Sequence, residues 1–190
     1  PISNRGSVVC RGCDSENLVS ILNLGEQPLP AEYGMHADEV LDKFPLHLRV
    51  CKNCGLGQLG EYVLPERIFH ETYPYLSSAS EYWVNHATNF AKQMVNKLSL
   101  NKESLVIELG GNDGYLLSQF QKLGVSVLNV EPPENTAEIA RQAGVPTISK
   151  FFGVDLANEI LVKYGNPDLI CVNNVYAHIP DQQDFTRGME

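Results

Sequence analysis

The chain changes character along its length when read only for apolar and polar positions. From about residue 103 onward, short apolar runs alternate with segments whose apolar residues recur at helical spacing. Strands are predicted over 104–109, 127–131, 146–149 and 169–173, with helices between them near 115–122, 135–143 and 154–164. Gly124, Gly144 and Gly165 stand where helices commonly end, and a last helix is predicted to begin near Asp181. Such alternation predicts an α/β domain with a doubly wound parallel sheet. Ahead of it, Trp83, Ala87, Phe90, Ala91, Met94 and Leu98 repeat at helical spacing, so an amphipathic helix is expected over 80–98. The Ser78-Ala79-Ser80-Glu81 stretch supplies a capping-box pattern for it, and His86 falls on its surface.

The first sixty residues lack long periodic runs and are rich in turn formers. Leu24-Gly25-Glu26-Gln27-Pro28-Leu29-Pro30 reads as an extended, turn-rich loop, and Phe44 to Val50 as a strand. Tyr62, Phe69, Tyr73 and Tyr75 mark an aromatic connector. The expected organisation is therefore a small domain over 1–60, a connector over 61–80 and an α/β domain over 81–190.

Bulk properties narrow the function. With 190 residues, 43% of them apolar, there is room for one ordinary domain and a small one. A net charge of -9 lacks the positive footprint that a phosphate backbone demands, so nucleic acid is not an expected partner. No apolar run approaches the ~20 residues that cross a bilayer, and Pro1-Ile2-Ser3-Asn4-Arg5 has no apolar signal core. A cytoplasmic location without membrane attachment is expected.

Four of the five cysteines fall in two pairs, Cys10-Arg11-Gly12-Cys13 and Cys51-Lys52-Asn53-Cys54. A two-residue gap lets both thiolates of a pair reach one ion, so a four-thiolate Zn2+ site is predicted, with Arg11 and Lys52 offsetting its charge. Two disulfides are the alternative, which an oxidising compartment would favour. The distance in sequence from Cys13 to Cys51 implies an inserted loop. The fifth cysteine, Cys171, lies in an apolar strand and reads as an ordinary buried residue.

The stretch from Ser104 to Gly114 carries the strongest chemical signal. A buried strand breaks into a glycine-rich turn that leads into a helix, and such a turn lets backbone N–H groups approach a nucleotide cofactor. A dinucleotide fingerprint would need glycine where Leu109 stands, which weakens an NAD reading. Registered on Glu108-x-Gly110-x-Asn112-x-Gly114, the stretch resembles the acidic and glycine-bearing motif of class I S-adenosylmethionine methyltransferases, with Asn112 in place of the middle glycine. Glu108 and Asp113 suit a ligand bearing a sulfonium and an amino group. A tight turn with no ligand is the plainer alternative. Glu131, at the end of the second strand, is placed to hold ribose hydroxyls. Phe151 and Phe152 could flank an adenine or belong to the core. Asn173, Asn174 and His178 follow the fourth strand, on the sheet edge where open α/β folds bind ligands, and a histidine there can take a proton or donate to an oxyanion.

Six motifs then occur in one order: Cys10-x-x-Cys13; Leu24-Gly25-x-Gln27-Pro28-Leu29; Cys51-x-x-Cys54-Gly55-Leu56; Tyr73-x-Tyr75-x-Ser77-Ser78-x-Ser80; Glu108-x-Gly110-x-Asn112-Asp113-Gly114; and Asn173-Asn174-x-x-Ala177-His178-Ile179-Pro180-Asp181. Together they resemble the deoxysugar C-methyltransferases, a family with an N-terminal zinc-binding domain and a Rossmann-like methyltransferase domain. The resemblance implies S-adenosylmethionine and Zn2+ as cofactors and a nucleotide-linked 4-keto-deoxysugar as substrate, methylated at C3 through an enolate. It implies cofactor contacts at Glu108, Gly110, Asn112, Asp113, Gly114, Glu131, Asn173 and Asn174. It further implies sugar or phosphate contacts at Tyr73, Tyr75 and Ser77, and catalytic roles for His178 and Tyr75. Family members continue for about as much chain again, so this sequence reads as an N-terminal portion whose enzyme is completed by a further C-terminal region. A zinc-stabilised scaffold carrying a degenerate methyltransferase half is the competing expectation.

Overall fold

A computed structural model describes residues 2–3, 8–30, 32–34, 36 and 38–190. The chain forms two compact units, one of residues up to 68 together with 179–183, the other of 69–178 together with 184–190.

The first unit is built on antiparallel strands. β1 (Ile2–Ser3), β2 (Leu18–Pro28), β3 (Lys43–Cys51), β4 (Gly57–Leu59) and β5 (Tyr62–Val63) are followed by the single-turn helix α1 (Pro65–Ile68). The strands lie in the order β2-β3-β4, and β1 pairs separately with β5. The expected loop between the cysteine pairs is instead the long β2–β3 ladder, which brings Leu18 opposite Cys51. The turn-rich segment beginning at Leu24 likewise belongs largely to β2, because Glu26, Gln27 and Pro28 pair with Pro45, Phe44 and Lys43. Among the described residues, β2 has a hydrogen-bonded neighbour on one side only. Its register slips between Ser20 and Leu22 and again between Asn23 and Glu26, which absorbs the left-handed Gly25 (φ 68°), and an edge tolerates a proline that cannot donate. The alternation read over 44–50 does form a strand, β3.

The second unit contains a four-stranded parallel sheet in the order β8-β7-β6-β9, formed by β6 (Leu105–Leu109), β7 (Ser126–Val130), β8 (Thr147–Ile148) and β9 (Leu169–Cys171). Helices α2 (Glu81–Leu98), α3 (Leu117–Lys122), α4 (Glu134–Gln142), α5 (Val154–Tyr164) and α6 (Gln182–Met189) accompany it. This is the α/β architecture expected from the alternating pattern, and Gly124, Gly144 and Gly165 follow α3, α4 and α5 with φ near 80°. Helix α2 lays Ala87 and Ala91 against the core, where small side chains one turn apart let its backbone approach closely, with Trp83, Phe90, Met94 and Val95 beside them. Leu98 is an exception to the expected face. It is 43% exposed, because the helix ends at Ser99, which turns left-handed and sends its N–H and that of Leu100 back to the Val95 carbonyl. The helix is capped by Ser80, whose hydroxyl accepts from the Trp83 N–H at 3.3 Å, and not by Ser78 of the capping-box pattern, which lies in a short 3₁₀ turn over Ser77–Ala79.

Phe120, Leu117 and Val106 are fully buried between α3, α2 and the sheet. A cavity of about 360 Å³ lies between α5, the end of α6 and the sheet residues Ile107, Leu109 and Ile170. Ile107 and Leu109 alternate with Glu108 along β6, so this cavity is on the sheet face away from the Glu108 side chain. No described helix is long and apolar enough to cross a membrane.

Candidate functional site

In the first unit, the two cysteine pairs sit on similar turns. The N–H of Asp14 bonds to the Cys10 carbonyl (2.8 Å) and that of Gly55 to the Cys51 carbonyl (2.9 Å), and Asp14 and Gly55 both take left-handed backbone, φ 56° and 78°. Gln58 on β4 locks one turn, accepting from Arg11 N and donating to Val9 O, each at 2.9 Å. All four sulfurs lie within 4.8 Å of one another, with Cys10 Sγ to Cys54 Sγ 3.5 Å and Cys13 Sγ to Cys51 Sγ 3.7 Å. These contacts cross between the pairs. They are far from bonded sulfurs, and every cysteine is free. Zn–S bonds of about 2.3 Å in a tetrahedron put sulfurs about 3.8 Å apart, so the donor set fits zinc in both chemistry and size. Backbone N–H groups of Cys54 and Asn53 lower the Cys51 thiol, whereas burial raises Cys10 and the neighbouring thiols raise Cys13, so without a metal the cluster's negative charge gathers on Cys51.

In the second unit, the site grows from the carboxyl ends of β6, β7 and β9. Glu108 stands on an inner strand, paired in register with Asn129 and Cys171, and its side chain is 1% exposed. After Leu109 the chain reverses. Gly110 (φ 70°) has no room for a Cβ, which would strike Val175, and Gly114 (φ 78°) packs its Cα where a Cβ would meet Val145 at 2.9 Å. The Gly114 N–H closes a turn on the Gly111 carbonyl (3.0 Å), the Ser118 N–H bonds the Gly114 carbonyl (2.9 Å), and α3 follows over Leu117–Lys122.

Around this turn the structure assembles most of the expected cofactor residues. Glu131 receives the Asn112 N–H on Oε2 (2.8 Å) and the Thr136 hydroxyl on Oε1 (2.9 Å). Asn173 donates to Glu108 Oε1 (3.1 Å). Asp113 Oδ2 accepts from Ser78 N (3.0 Å). Asn174 stands apart from this network, exposed and left-handed at φ 55°. Four buried acceptors, Glu108 Oε2, Asp113 Oδ1, Asn129 Oδ1 and, on α4, Asn135 Oδ1, have no hydrogen-bond partner among the described residues. The Asn129 amide is oriented by its Nδ2, which donates to the Asn112 carbonyl (3.2 Å), so its oxygen is the end left free. A Cβ on Gly111 would run into that oxygen and lie 3.0 Å from Glu108 Oε2, so the two free oxygens converge on a position only glycine leaves open. Burial, opposed by the Asn173 amide and reinforced by Glu131 and Asp113, raises the Glu108 carboxyl to about 8. Burial also raises Glu131, against the pull of the Asn112 N–H and Thr136. With Glu108 neutral near pH 7, the lining offers one carboxyl proton beside a set of acceptors. It suits a donor-bearing ligand, and a cation bound there would favour the ionised form of Glu108, whereas a pyrophosphate would find acceptors facing its own.

The connector residues meet this turn through their main chain. Ser77 is buried and its N–H donates to Asn112 Oδ1 (2.8 Å), Tyr75 gives its carbonyl to Asn112 Nδ2 (3.1 Å), and Tyr73 gives its carbonyl to Asn135 Nδ2 (2.7 Å). The Tyr75 ring is 55% exposed, while Tyr73 is half-buried and its hydroxyl is raised by burial and then by Glu131. His178 is exposed in a 3₁₀ turn over Tyr176–His178, its N–H on the Val175 carbonyl (2.8 Å). Its ring meets Phe69 edge-on at 6.0 Å, and Phe69 in turn lies 5.4 Å from Tyr73. Phe152 packs against Phe185 and Phe151 is 41% exposed. Phe69, Asn129, Asn135 and Thr136 were not among the sequence candidates. Asn129 alone carried a signal, a single amide inside the apolar run Val127-Leu128-Asn129-Val130.

The chain is similar to known proteins. A family model described as "Putative zinc binding domain" matches residues 10–69, and one described as "Methyltransferase domain" matches residues 82–188. C-methyltransferase NovU of Streptomyces niveus is 29% identical over 182 residues, covering 95% of this chain and 43% of that protein. Ribosomal RNA small subunit methyltransferase A of Thermotoga petrophila is 32% identical over 87 residues, covering 45% of this chain and 32% of that protein. The chain therefore spans less than half the length of either curated relative. Among solved structures, magnesium protoporphyrin IX methyltransferase (ChlM) from Synechocystis PCC 6803 with bound SAM aligns with a TM-score of 0.42 at 16% identity, over 65% of this chain and 62% of that one.

Proposed function

We propose, for a chain that belongs to the methyltransferase domain family, that it forms the zinc-binding and donor-binding portion of an S-adenosylmethionine-dependent C-methyltransferase. The acceptor is a nucleotide-linked 4-keto-deoxysugar, methylated at C3. The observation that carries the donor assignment is the convergence of Glu108 Oε2 and Asn129 Oδ1 at Gly111, both buried and unpartnered among the described residues, with Asp113 Oδ1 a further unpartnered acceptor on the same turn. Glu108, Asp113 and Asn129 would face the donor's cationic end, and Glu131 its ribose, on the one side where its oxygens have lone pairs to spare. When bound, S-adenosylmethionine supplies an electrophilic methyl group on a sulfonium.

What supports carbon as the acceptor is the similarity to a C-methyltransferase over 95% of the chain. What supports a keto-sugar is the ordered set of six motifs. A C4 carbonyl acidifies the C3 hydrogen, and a base must remove that proton before carbon can attack. His178 is the residue of this chain proposed to take it, and the exposed Tyr75 hydroxyl the one proposed to donate to the oxygen on which charge develops. Phe69 would steady His178 relative to Tyr73 through ring contacts. An RNA substrate, as named for the Thermotoga relative, is disfavoured by the net charge of -9.

The test uses the full-length protein with S-adenosylmethionine and a nucleotide-linked 4-keto-deoxysugar. The expected product carries one new carbon–carbon bond at C3, and an exclusively O- or N-methylated product refutes the reading.

A further inference from the structure

Asn112 stands where the resembling motif has glycine, and it holds left-handed backbone (φ 52°) that glycine would adopt more easily. Its polar groups explain the exchange. The backbone N–H goes to Glu131 Oε2, the carbonyl receives Asn129 Nδ2, Oδ1 receives the Ser77 N–H and Nδ2 donates to the Tyr75 carbonyl. The neighbouring Asp113 takes the Ser78 N–H, and Asn135 reaches the Tyr73 carbonyl. Four main-chain groups of a segment without strand or α-helix are thus tied by three side chains of the cofactor turn and α4. An irregular segment has no ladder of its own to fix it, so its position is set by these side chains.

We infer that Asn112 is a positioning residue that couples donor binding to the acceptor-binding segment. Its backbone engages the carboxylate proposed to hold the donor ribose, and its side chain holds the residues that carry Tyr73, Tyr75 and Ser77. A donor that orders the turn therefore orders the 73–78 segment, and by reciprocity an ordered segment tightens donor binding. The inference rests on the proposed donor assignment.

The experiment is amide hydrogen exchange of the full-length protein, with and without S-adenosylhomocysteine, whose binding is measured by calorimetry. Asn112→Gly keeps the backbone conformation and deletes both side-chain bonds. Ser77→Pro deletes one donor from the other side, at a position whose preceding residue Leu76 is already extended (φ -121°, ψ 121°) as proline requires. In the unaltered protein, ligand is expected to slow exchange at Tyr75, Ser77 and Ser78. Exchange is expected to rise about tenfold or more, the scale of one or two hydrogen bonds, at Ser77 and Ser78 in Asn112→Gly and at Ser78 in Ser77→Pro, which has no amide hydrogen at 77, with β6 unchanged and the ligand effect on the segment lost in both. In kinetics, Asn112→Gly should raise KM for the acceptor more than KM for the donor. If ligand binds the unaltered protein but leaves 73–78 unaffected, or if Asn112→Gly exchanges as the unaltered protein does, the coupling is wrong while the donor assignment stands. If no ligand binds the unaltered protein, the donor assignment fails and the coupling with it.

Discussion

Strand β2 and strand β6 are both rich in branched apolar residues, yet they live in opposite environments. Ile21, Leu22 and Leu24 on β2 are each at least half exposed, whereas Val106, Ile107 and Leu109 on β6 are almost completely buried. The sheet unit is held by its core. The first unit buries few of its apolar side chains, and Cys10 and Cys51, its most deeply buried apolar residues among those described, are members of the thiol cluster. Similar residue types thus yield one fold that depends on a metal and one that depends on packing.

The comparison breaks most sharply on metal removal. Stripping zinc with a chelator, or Cys51→Ser, should unfold the first unit, since structural zinc contributes on the order of 10 kcal/mol in small modules. The parallel sheet should persist. Exchange protection retained on β6 but lost on β2 and β3 is the expected readout, and equal loss in both units would show that they do not differ as described.

The complementary change is Phe120→Ala, which empties a fully buried site between α2, α3 and the sheet. A loss of about 3–5 kcal/mol is expected from denaturant unfolding, with zinc stoichiometry unchanged at one per chain. A loss below about 1 kcal/mol would mean that this core is not what holds the unit.

The third effect is smaller and depends on pH. Glu108 keeps its proton to about 8, well above its ordinary 4.5. Between those values the folded protein binds a proton that the unfolded chain has released, so stability falls as pH rises through the window and levels off above about 8. The slope from this group is at most about 1.4 kcal/mol per pH unit. Glu108→Gln, which mimics the neutral carboxyl, should flatten that slope, and an unchanged slope would place the titration elsewhere.

Much of this was readable in the residues, for physical reasons that also explain the misses. The apolar run before Gly110 leaves little choice but a buried strand, and the helix over 154–164 was bounded correctly because helical periodicity and Gly165 agree at its end. Segments governed by tertiary pairing were less legible. Gly25 and Pro28 announce a loop locally, yet β3 supplies partners that carry the strand past them through bulges. Ser78 and Ser80 are both acceptable caps, and the choice between them follows from Ser78 giving its N–H to Asp113, 35 residues away. In the candidate site, the residue types of Glu108 and Glu131 were evident from strand ends. The roles of Asn129 and Asn112 were not, because they exist only once β6, β7 and the connector meet.

The central claim is that the acceptor-lined turn takes a cationic sulfonium nucleoside and not a dinucleotide. Calorimetric titration of the full-length protein with S-adenosylmethionine and, separately, with NADH tests it most directly. Saturable binding of one S-adenosylmethionine per chain with no heat from NADH is the expected result. Binding of NADH with none of S-adenosylmethionine would contradict the account.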